Sequence, residues 1–597
     1  LIHHKSRRGI AKPYGDGRSS LSRTGGIAYH SADAARAGWI GTPAPARRLM
    51  MQLGRVMPRM AGLLGLMLVV CLGCRSNPGF DPLGGPTVLP PERSSPGLLP
   101  APVQPSLPAT SPGPAMTPTD PGTILPTSSG TSNSGDGPLL STDPVVEASR
   151  PKLGDIYDRT AQSADGERNP LIVIPGVLGS RLVDDASQRV VWGEFGGDGI
   201  DPSTPNGARL LALPMAEGKP LRELTDSVHV QGVLDALEIR VFGVPFEMSA
   251  YRDILVALGV GGYRESVSGP TDVNYGGVNH NSFQFAYDWR RDNVENAQRL
   301  HQFILGKKAE IEAARQKRFG AEARPVKFDI VAHSMGGLIA RYYLQYGDAD
   351  LPSDGSAPVL TWAGAANVER VVLVGTPSAG SIDAVENMVK GVVFSQALPR
   401  YQSAILGTMP GLYQLLPRSR HRPVISDGDR KTIDIMNPQA WAQYRWGLLN
   451  PAQQTVLHQL LPNVSDPGLQ QRIAYEHLKK CLDRAKAFHA ALDVRSKPPQ
   501  GTSVHLIAGD AYPTSAQLWA HSNGHVSVAA QLPGDGKVTR ASALMDERYT
   551  EGTKWSPRLI SPITWSSVNF LFTDHLGLTR DPAFTDNVLY LLLEAPR

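Results

Sequence analysis

Short runs of consecutive apolar residues, separated by helical periodicity, organise the chain from about residue 170 onward. Leu171-Ile-Val-Ile174 is continuous, as a strand buried on both faces of a parallel sheet requires, and Pro175-Gly176 ends it. Similar runs follow at Val326–Val331, Val368–Val374, Val504–Ala508 and Val568–Phe572, with an aromatic strand, Phe283-Gln-Phe-Ala-Tyr287, running into a polar loop. Between them lie helical patterns at Tyr251–Leu258, at about 293–318 with Val294, Ala297, Leu300, Ile304 and Ile311 on one face, at Ile473–Leu492 and at Asn587–Leu593. Strands alternating with helices predict a mostly parallel sheet covered on both faces. The pattern loosens over about 190–245 and again over 382–500, where cap or lid segments are expected.

The front of the chain has no such pattern. Residues 1–49 are Gly-, Ser-, Arg- and Ala-rich and read either as a disordered basic tail or as sequence upstream of a start at Met50, Met51, Met57 or Met60. Residues 50–74 read as a signal peptide: Arg55 and Arg59 precede the apolar run Ala61–Leu72, which is too short to span a bilayer. The ending Leu72-Gly73-Cys74 is lipobox-like, with Cys74 as the lipidated residue, although Cys71 stands where an aliphatic side chain is usual. Residues 75–150 are rich in Pro, Gly, Ser and Thr and form an extended linker to a folded domain at 151–597. An exported, membrane-anchored lipoprotein facing the periplasm or the cell exterior is expected.

Charge adds one exclusion. The first 74 residues carry eleven Lys/Arg against two Asp, so the net +4 of the chain arises there and the remainder is net negative. Nothing points to nucleic acid. The three cysteines, Cys71, Cys74 and Cys481, leave one thiol after cleavage at Cys74, so the fold rests on its core rather than on disulfides. No residues have metal-ligand spacing, and no cofactor is expected.

The chemistry centres on Phe328-Asp-Ile-Val-Ala-His-Ser334-Met-Gly-Gly-Leu338. This is strand, sharp turn, helix: the nucleophile elbow G-x-S-x-G of α/β-hydrolases, with Ala332 for the first glycine. Small neighbours let strand and helix approach, and the Met335 N–H falls at a helix N-terminus, where an oxyanion is stabilised. The loop Gly176–Ser180 follows an early strand, where such enzymes place a second oxyanion donor, here the Val177 N–H. The elbow predicts the chain order serine, acid, histidine. His575 follows the last strand and fits. His489 in a helical pattern, His505 in a strand, and His521 and His525 in a polar loop read as structural or solvated. Two acids are open on pattern alone: Asp510, at a strand end, and Asp535, between Gly534 and Gly536.

Pro175-Gly-Val-Leu-Gly-Ser180, Tyr287-Asp-Trp-Arg290, Ala332-His-Ser-Met-Gly-Gly337, Gly375-Thr-Pro-Ser-Ala-Gly-Ser381, Gly534-Asp-Gly-Lys-Val538 and His575 occur in this order. Over about 170–597 the chain thereby resembles the lecithin:cholesterol acyltransferase family. The resemblance implies that Asp535 is the acid, that Val177 and Met335 form the oxyanion hole, that Trp192 contacts substrate, and that a cap and lid flank an acyl groove. Lys537 stands where a threonine is usual, and the cysteine pair of the animal lids is lacking. The implied activity is serine-dependent hydrolysis or O-acyl transfer on phospholipid or acylglycerol esters at a membrane surface. The rival readings are another exported esterase, a deacylase of envelope glycolipids, and a non-catalytic lipid binder.

Overall fold

The computed structural model describes residues 168–597 except 196–198, 235, 242–243, 250–251, 261–262, 264–280, 321–324, 395–397 and 551. The leader, Cys74 and the proline-rich stretch lie outside the described residues. Six parallel strands form the central sheet: β1 (Leu171–Ile174), β2 (Ser282–Gln284), β3 (Phe328–His333), β4 (Val368–Val374), β5 (Ser503–Gly509) and β8 (Ser567–Leu571). Between the last two lies an antiparallel hairpin of β6 (Tyr512–Ala520) and β7 (Val526–Gly534). The sheet order is β8-β5-β4-β3-β1-β2. The order reverses at β1, which pairs with both β2 and β3. A crevice opens at such a switch point, beyond the carboxyl ends of the strands.

The continuous apolar runs serve two faces. Ile172, Ile174, Ile330, Ala332, Val371, Leu373 and Leu506 pack on one side with helices α2 (Asn293–Phe319) and α3 (Met335–Tyr346). Their alternates Leu171, Val173, Val331, Val372, Val374 and Ile507 pack on the other with α1 (Arg252–Val260) and α6 (Pro582–Leu589). This is the three-layer α/β-hydrolase fold. Side-chain alternation along each strand explains why no polar position interrupts β1.

Three elements differ from the sequence expectation. The aromatic strand stops at Gln284, because the Tyr287 N–H donates to Ser180 Oγ (3.0 Å) instead of continuing a ladder. The closing helix begins at Pro582, with Asp581 accepting from the Ala583 N–H, and ends in one wide turn at Tyr590–Glu594. The β6–β7 hairpin is a further sheet element in a region read only as loop.

Residues 382–500 contain α4 (Ile382–Lys390) and the long α5 (Pro467–Leu492). Asp466 caps α5 and Pro467 fills its first turn, where its missing N–H costs no intrahelical hydrogen bond. The inward face of α5 reaches α3: Phe488 stacks on Tyr342, and the Tyr346 hydroxyl donates to the Ala491 carbonyl (2.7 Å). Among the described residues, no helix is long and apolar enough to cross a membrane.

Two histidines of α5 are buried and neutral. Burial holds His477 down to about 4 and His489 to about 3, from an ordinary 6.5, while their Nε2–H groups donate to the carbonyls of Thr408 and Gln414. The unfolded chain takes up these protons first. Their contribution to stability is therefore complete above about pH 6.5 and is lost as pH falls toward the folded values, by up to about 1.4 kcal/mol per pH unit for each histidine. His477→Gln, which retains a donor for Thr408, is expected to flatten the acid-side slope by about one proton in urea unfolding across this range. An unchanged slope would contradict the neutral, buried assignment.

Candidate active site

Ser334 lies between β3 and α3 with φ 51° and ψ −123°, outside the regions a residue with a Cβ ordinarily occupies. Its surroundings enforce that conformation. The Ser334 N–H donates to the Val374 carbonyl (2.8 Å) and the Ser334 carbonyl accepts from Gly337 (3.0 Å). A Cβ at Gly336 would stand 2.3 Å from the Pro175 carbonyl oxygen, and one at Gly337 2.0 Å from Thr376 Oγ1. The first turn of α3 thus presses against the ends of both β1 and β4. Ala332 replaces the usual first glycine without conflict, since its side chain is fully buried in the face that carries Ile174.

The hairpin delivers the acid. β7 ends at Gly534, whose hydrogen faces the Val538 carbonyl, and the turn closes with Gly536 at φ 88°, its N–H donating to Thr514 Oγ1 (2.8 Å). Inside the turn, Asp535 Oδ1 accepts from the N–H groups of Lys537 (2.9 Å) and Val538 (2.7 Å). Its other oxygen is left for a partner. Gly509, at the end of β5, gives room for Asp535, whose Cβ a side chain there would meet at 2.7 Å.

His575 joins the two. Its Nδ1–H donates to Asp535 Oδ2 (2.8 Å), which leaves Nε2 to accept from Ser334 Oγ (3.1 Å). The His575 N–H also donates to the Asp535 carbonyl (2.9 Å), so backbone and side chain tie the same pair. Burial raises the Asp535 pKa, but the charge of His575 and the hydrogen bonds to Oδ1 and Oδ2 outweigh it, and the carboxyl is held below its ordinary value. Asp510, the other acid open from the pattern, ion-pairs with Arg540 at the surface.

His333 was not among the candidates. It is buried beside the relay, its ring centroid 4.8 Å from that of His575, and its Nε2–H donates to the His575 carbonyl (3.2 Å). Burial, then the proximity of His575, lowers its pKa to about 3, so it adds no positive charge beside the His575 ring. Its contact spans 242 residues, and nothing local in the sequence marks it. The hairpin that carries Asp535 did leave a signal: Asn523-Gly524 stands between two polar–apolar alternations.

The Val177 loop is held from behind. The Tyr287 hydroxyl donates to the Pro175 carbonyl (2.9 Å), Trp192 Nε1–H to the Leu178 carbonyl (2.7 Å), and Trp289 Nε1–H to the Ser180 carbonyl (3.4 Å). Neither the Val177 nor the Met335 N–H donates to an acceptor among the described residues. Trp192 itself is 2% exposed and packs edge-on to Phe195, Trp289 and Tyr401, with the half-exposed Phe394 against it. Arg290 completes the Tyr-Asp-Trp-Arg block. Fully buried, it forks onto Asp288, ion-pairs with Asp226 and donates to the carbonyls of Leu210 and Leu211, which fastens the 205–226 segment to the site's floor. Among the described residues, no cluster of His, Cys, Asp or Glu could hold a metal ion.

Residues 272–464 match the lecithin:cholesterol acyltransferase family model. The matched stretch contains the Tyr-Asp-Trp-Arg block, the elbow and Gly375–Ser381 but ends before Asp535 and His575, which the fold brings to Ser334. The family match supports a lipid ester hydrolase or acyltransferase. No curated protein matches the chain. Among solved structures, a Tle4–Tli4 complex is similar at 17% identity and TM-score 0.43, covering 71% of this chain and 98% of that one. Lipase 1 from Pelosinus fermentans is similar at 11% identity and TM-score 0.30, covering 72% and 100%, and the mature lipase BlEst2 from Bacillus licheniformis at 12% and 0.24, covering 72% and 94%. Similarities at these TM-scores carry no functional argument.

The close approach at Gly336 generates a prediction. In Gly336→Ala the added methyl must push α3 off Pro175, shifting the elbow relative to the Val177 loop. A displacement of about 1 Å at a reacting centre costs on the order of a hundredfold in rate. Esterase kcat on a long-chain substrate is expected to fall by that factor while the protein still melts cooperatively. Full activity with an unchanged melting temperature would show that the approach is not constraining.

Proposed function

We propose that the protein is a serine-dependent lipid acyl hydrolase or O-acyltransferase acting on phospholipid or acylglycerol esters through an acyl-enzyme. The observation that carries this reading is the continuous relay Asp535–His575–Ser334, with Ser334 at the N-terminus of α3. His575 Nε2 takes the Ser334 proton as Oγ attacks the ester carbonyl carbon. Asp535 holds the ring in the required tautomer and stabilises the imidazolium. The N–H groups of Val177 and Met335 receive the oxyanion, and each such donor is worth about two to three orders of magnitude in rate. His575 returns the proton to the leaving oxygen as the C–O bond breaks. Water or a lipid alcohol then takes the acyl group from Ser334 by the same steps in reverse.

Several features support a lipid setting. Phe572 (86% exposed) and Leu576 (49%) flank His575 in the chain, and Val393 and Phe394 are exposed beside the Trp192 cluster. Such apolar residues at a rim suit contact with an aggregated lipid surface. Trp192, braced against the Val177 loop, would shape the acyl side of the site. The leader ending at Cys74 and the proline-rich 75–150 stretch fit an exported enzyme tethered near the membrane that supplies its substrate.

The test is lipid product analysis with the full chain, using long-acyl phospholipid alone and with an added alcohol acceptor. Free fatty acid in both assays identifies a hydrolase, and a new ester in the second identifies an acyltransferase. Ser334→Ala is expected to reduce both to background, and Asp535→Asn to lower kcat by about four orders of magnitude. Phospholipid turnover that survives Ser334→Ala would sink the proposal.

A further inference from the structure

A second carboxylate–imidazole–hydroxyl chain lies at the tip of the β6–β7 hairpin. The turn is closed by the Gly524 N–H to the His521 carbonyl (2.8 Å) and the His521 N–H to the His525 carbonyl (2.9 Å). Trp519 stands opposite Ser527 in register, so Trp519, His521, His525 and Ser527 share one face of the hairpin. Asp427 approaches from the turn after the short strand Val424–Ser426, its N–H donating to the Ala520 carbonyl (3.1 Å). The Asp427 carboxylate is in close contact with His521 Nδ1, and His521 Nε2 lies 2.8 Å from Ser527 Oγ.

The connectivity matters more than the proximity. A carboxylate at Nδ1 fixes the tautomer with its lone pair on Nε2, and that nitrogen faces a serine hydroxyl. The tip is braced, since Trp446 Nε1–H donates to the Gly524 carbonyl (2.8 Å). Arg430 lies over the Trp519 ring (5.6 Å) and adds a cation to the same region. Unlike Ser334, which is 7% exposed, this relay is open to water: the side chains of His521 and Asp427 are 33% and 42% exposed.

We propose that Ser527 is a second nucleophile, activated by His521 and Asp427, that takes the acyl or phosphonyl group of small, water-soluble activated esters. In the step, Ser527 Oγ bonds to the electrophilic carbon or phosphorus and its proton passes to His521 Nε2. The bond to the leaving group breaks, p-nitrophenolate or fluoride departs as the anion, and the exposed His521 releases its proton to water. Ser527 lies within a strand rather than at a helix N-terminus. It therefore lacks the dipole that assists Ser334, and the signature is a stoichiometric adduct rather than rapid turnover. The proposal is independent of the lipid chemistry at Ser334.

The experiment uses full-chain Ser334→Ala, so that the first relay cannot contribute. It is incubated with a fluorophosphonate and, separately, with p-nitrophenyl acetate, then read by intact mass and peptide mapping. One adduct at Ser527 is expected. It is absent from Ser334→Ala/Ser527→Ala and forms about a hundredfold more slowly in Ser334→Ala/His521→Gln. Asp427→Asn in the same background provides a second variant outside the hairpin strands and is expected to slow labelling as well. No adduct at Ser527, labelling spread over surface serines, or labelling at an unchanged rate without His521 overturns the proposal.

Discussion

The contact between the first turn of α3 and the end of β1 governs the rest of the site. With a hydrogen at Gly336, the helix sits on the Pro175 carbonyl, and with another at Gly337 it sits on Thr376. Those two contacts leave Ser334 no ordinary backbone conformation, hence its φ of 51°. The strain is local and the support is not: β3 is buried along its whole length between β1 and β4, so the turn cannot relax without disturbing the centre of the sheet. The same approach sets the first turn of α3 against Pro175, the residue that precedes the Gly176–Ser180 loop. The backbone of Ser334 and the placement of that loop follow from one packing constraint.

The loop side of that constraint is stiffened by polar groups that the core has fully enclosed. Burial opposes the charge on Asp288 and on Arg290, and their mutual attraction and paired hydrogen bonds overcome it, so that both stay ionised. Breaking such a pair leaves an uncompensated buried charge, typically a loss of about 3–5 kcal/mol, although a well-packed apolar replacement of the pair can be neutral. The pair is thus better understood as fixing position than as adding stability. Arg290 holds residues 210–211 and Asp226 at once, while its neighbours Tyr287 and Trp289 hold the carbonyls of Pro175 and Ser180.

Much of this was legible in the chain, for reasons that differ from element to element. β1 and β4 could be read to the residue because each carries an apolar run buried on both faces, the polar Glu369 and Arg370 being confined to the start of β4. The elbow was legible because its geometry demands small residues at fixed places. The hairpin was obscured by Pro513, Pro533 and the polar alternation between them, which read as loop despite Asn523-Gly524. The choice between Asp510 and Asp535 could not be made from pattern, since both follow strands. It turns on the Asp535 carbonyl accepting from the His575 N–H and on the space left by Gly509. His333 was illegible because it acts on a backbone carbonyl, which every residue possesses.

Lys537 shows which part of a motif is fixed by physics. The family resemblance places a threonine there, and a lysine beside the acid raises the question of whether its charge tunes Asp535. The structure turns it outward: Nζ pairs with Asp383 of α4 (2.6 Å), and the Ser381 hydroxyl donates to the Lys537 carbonyl (2.7 Å). Its side chain is largely exposed, so this ion pair contributes little, in the range of about 0–1 kcal/mol. What Asp535 takes from position 537 is the backbone N–H, and any residue other than proline supplies that. The turn therefore constrains Gly534, Asp535 and Gly536 tightly and leaves 537 free to vary, so the lysine is compatible with an acid whose low pKa is set by His575 and backbone N–H groups.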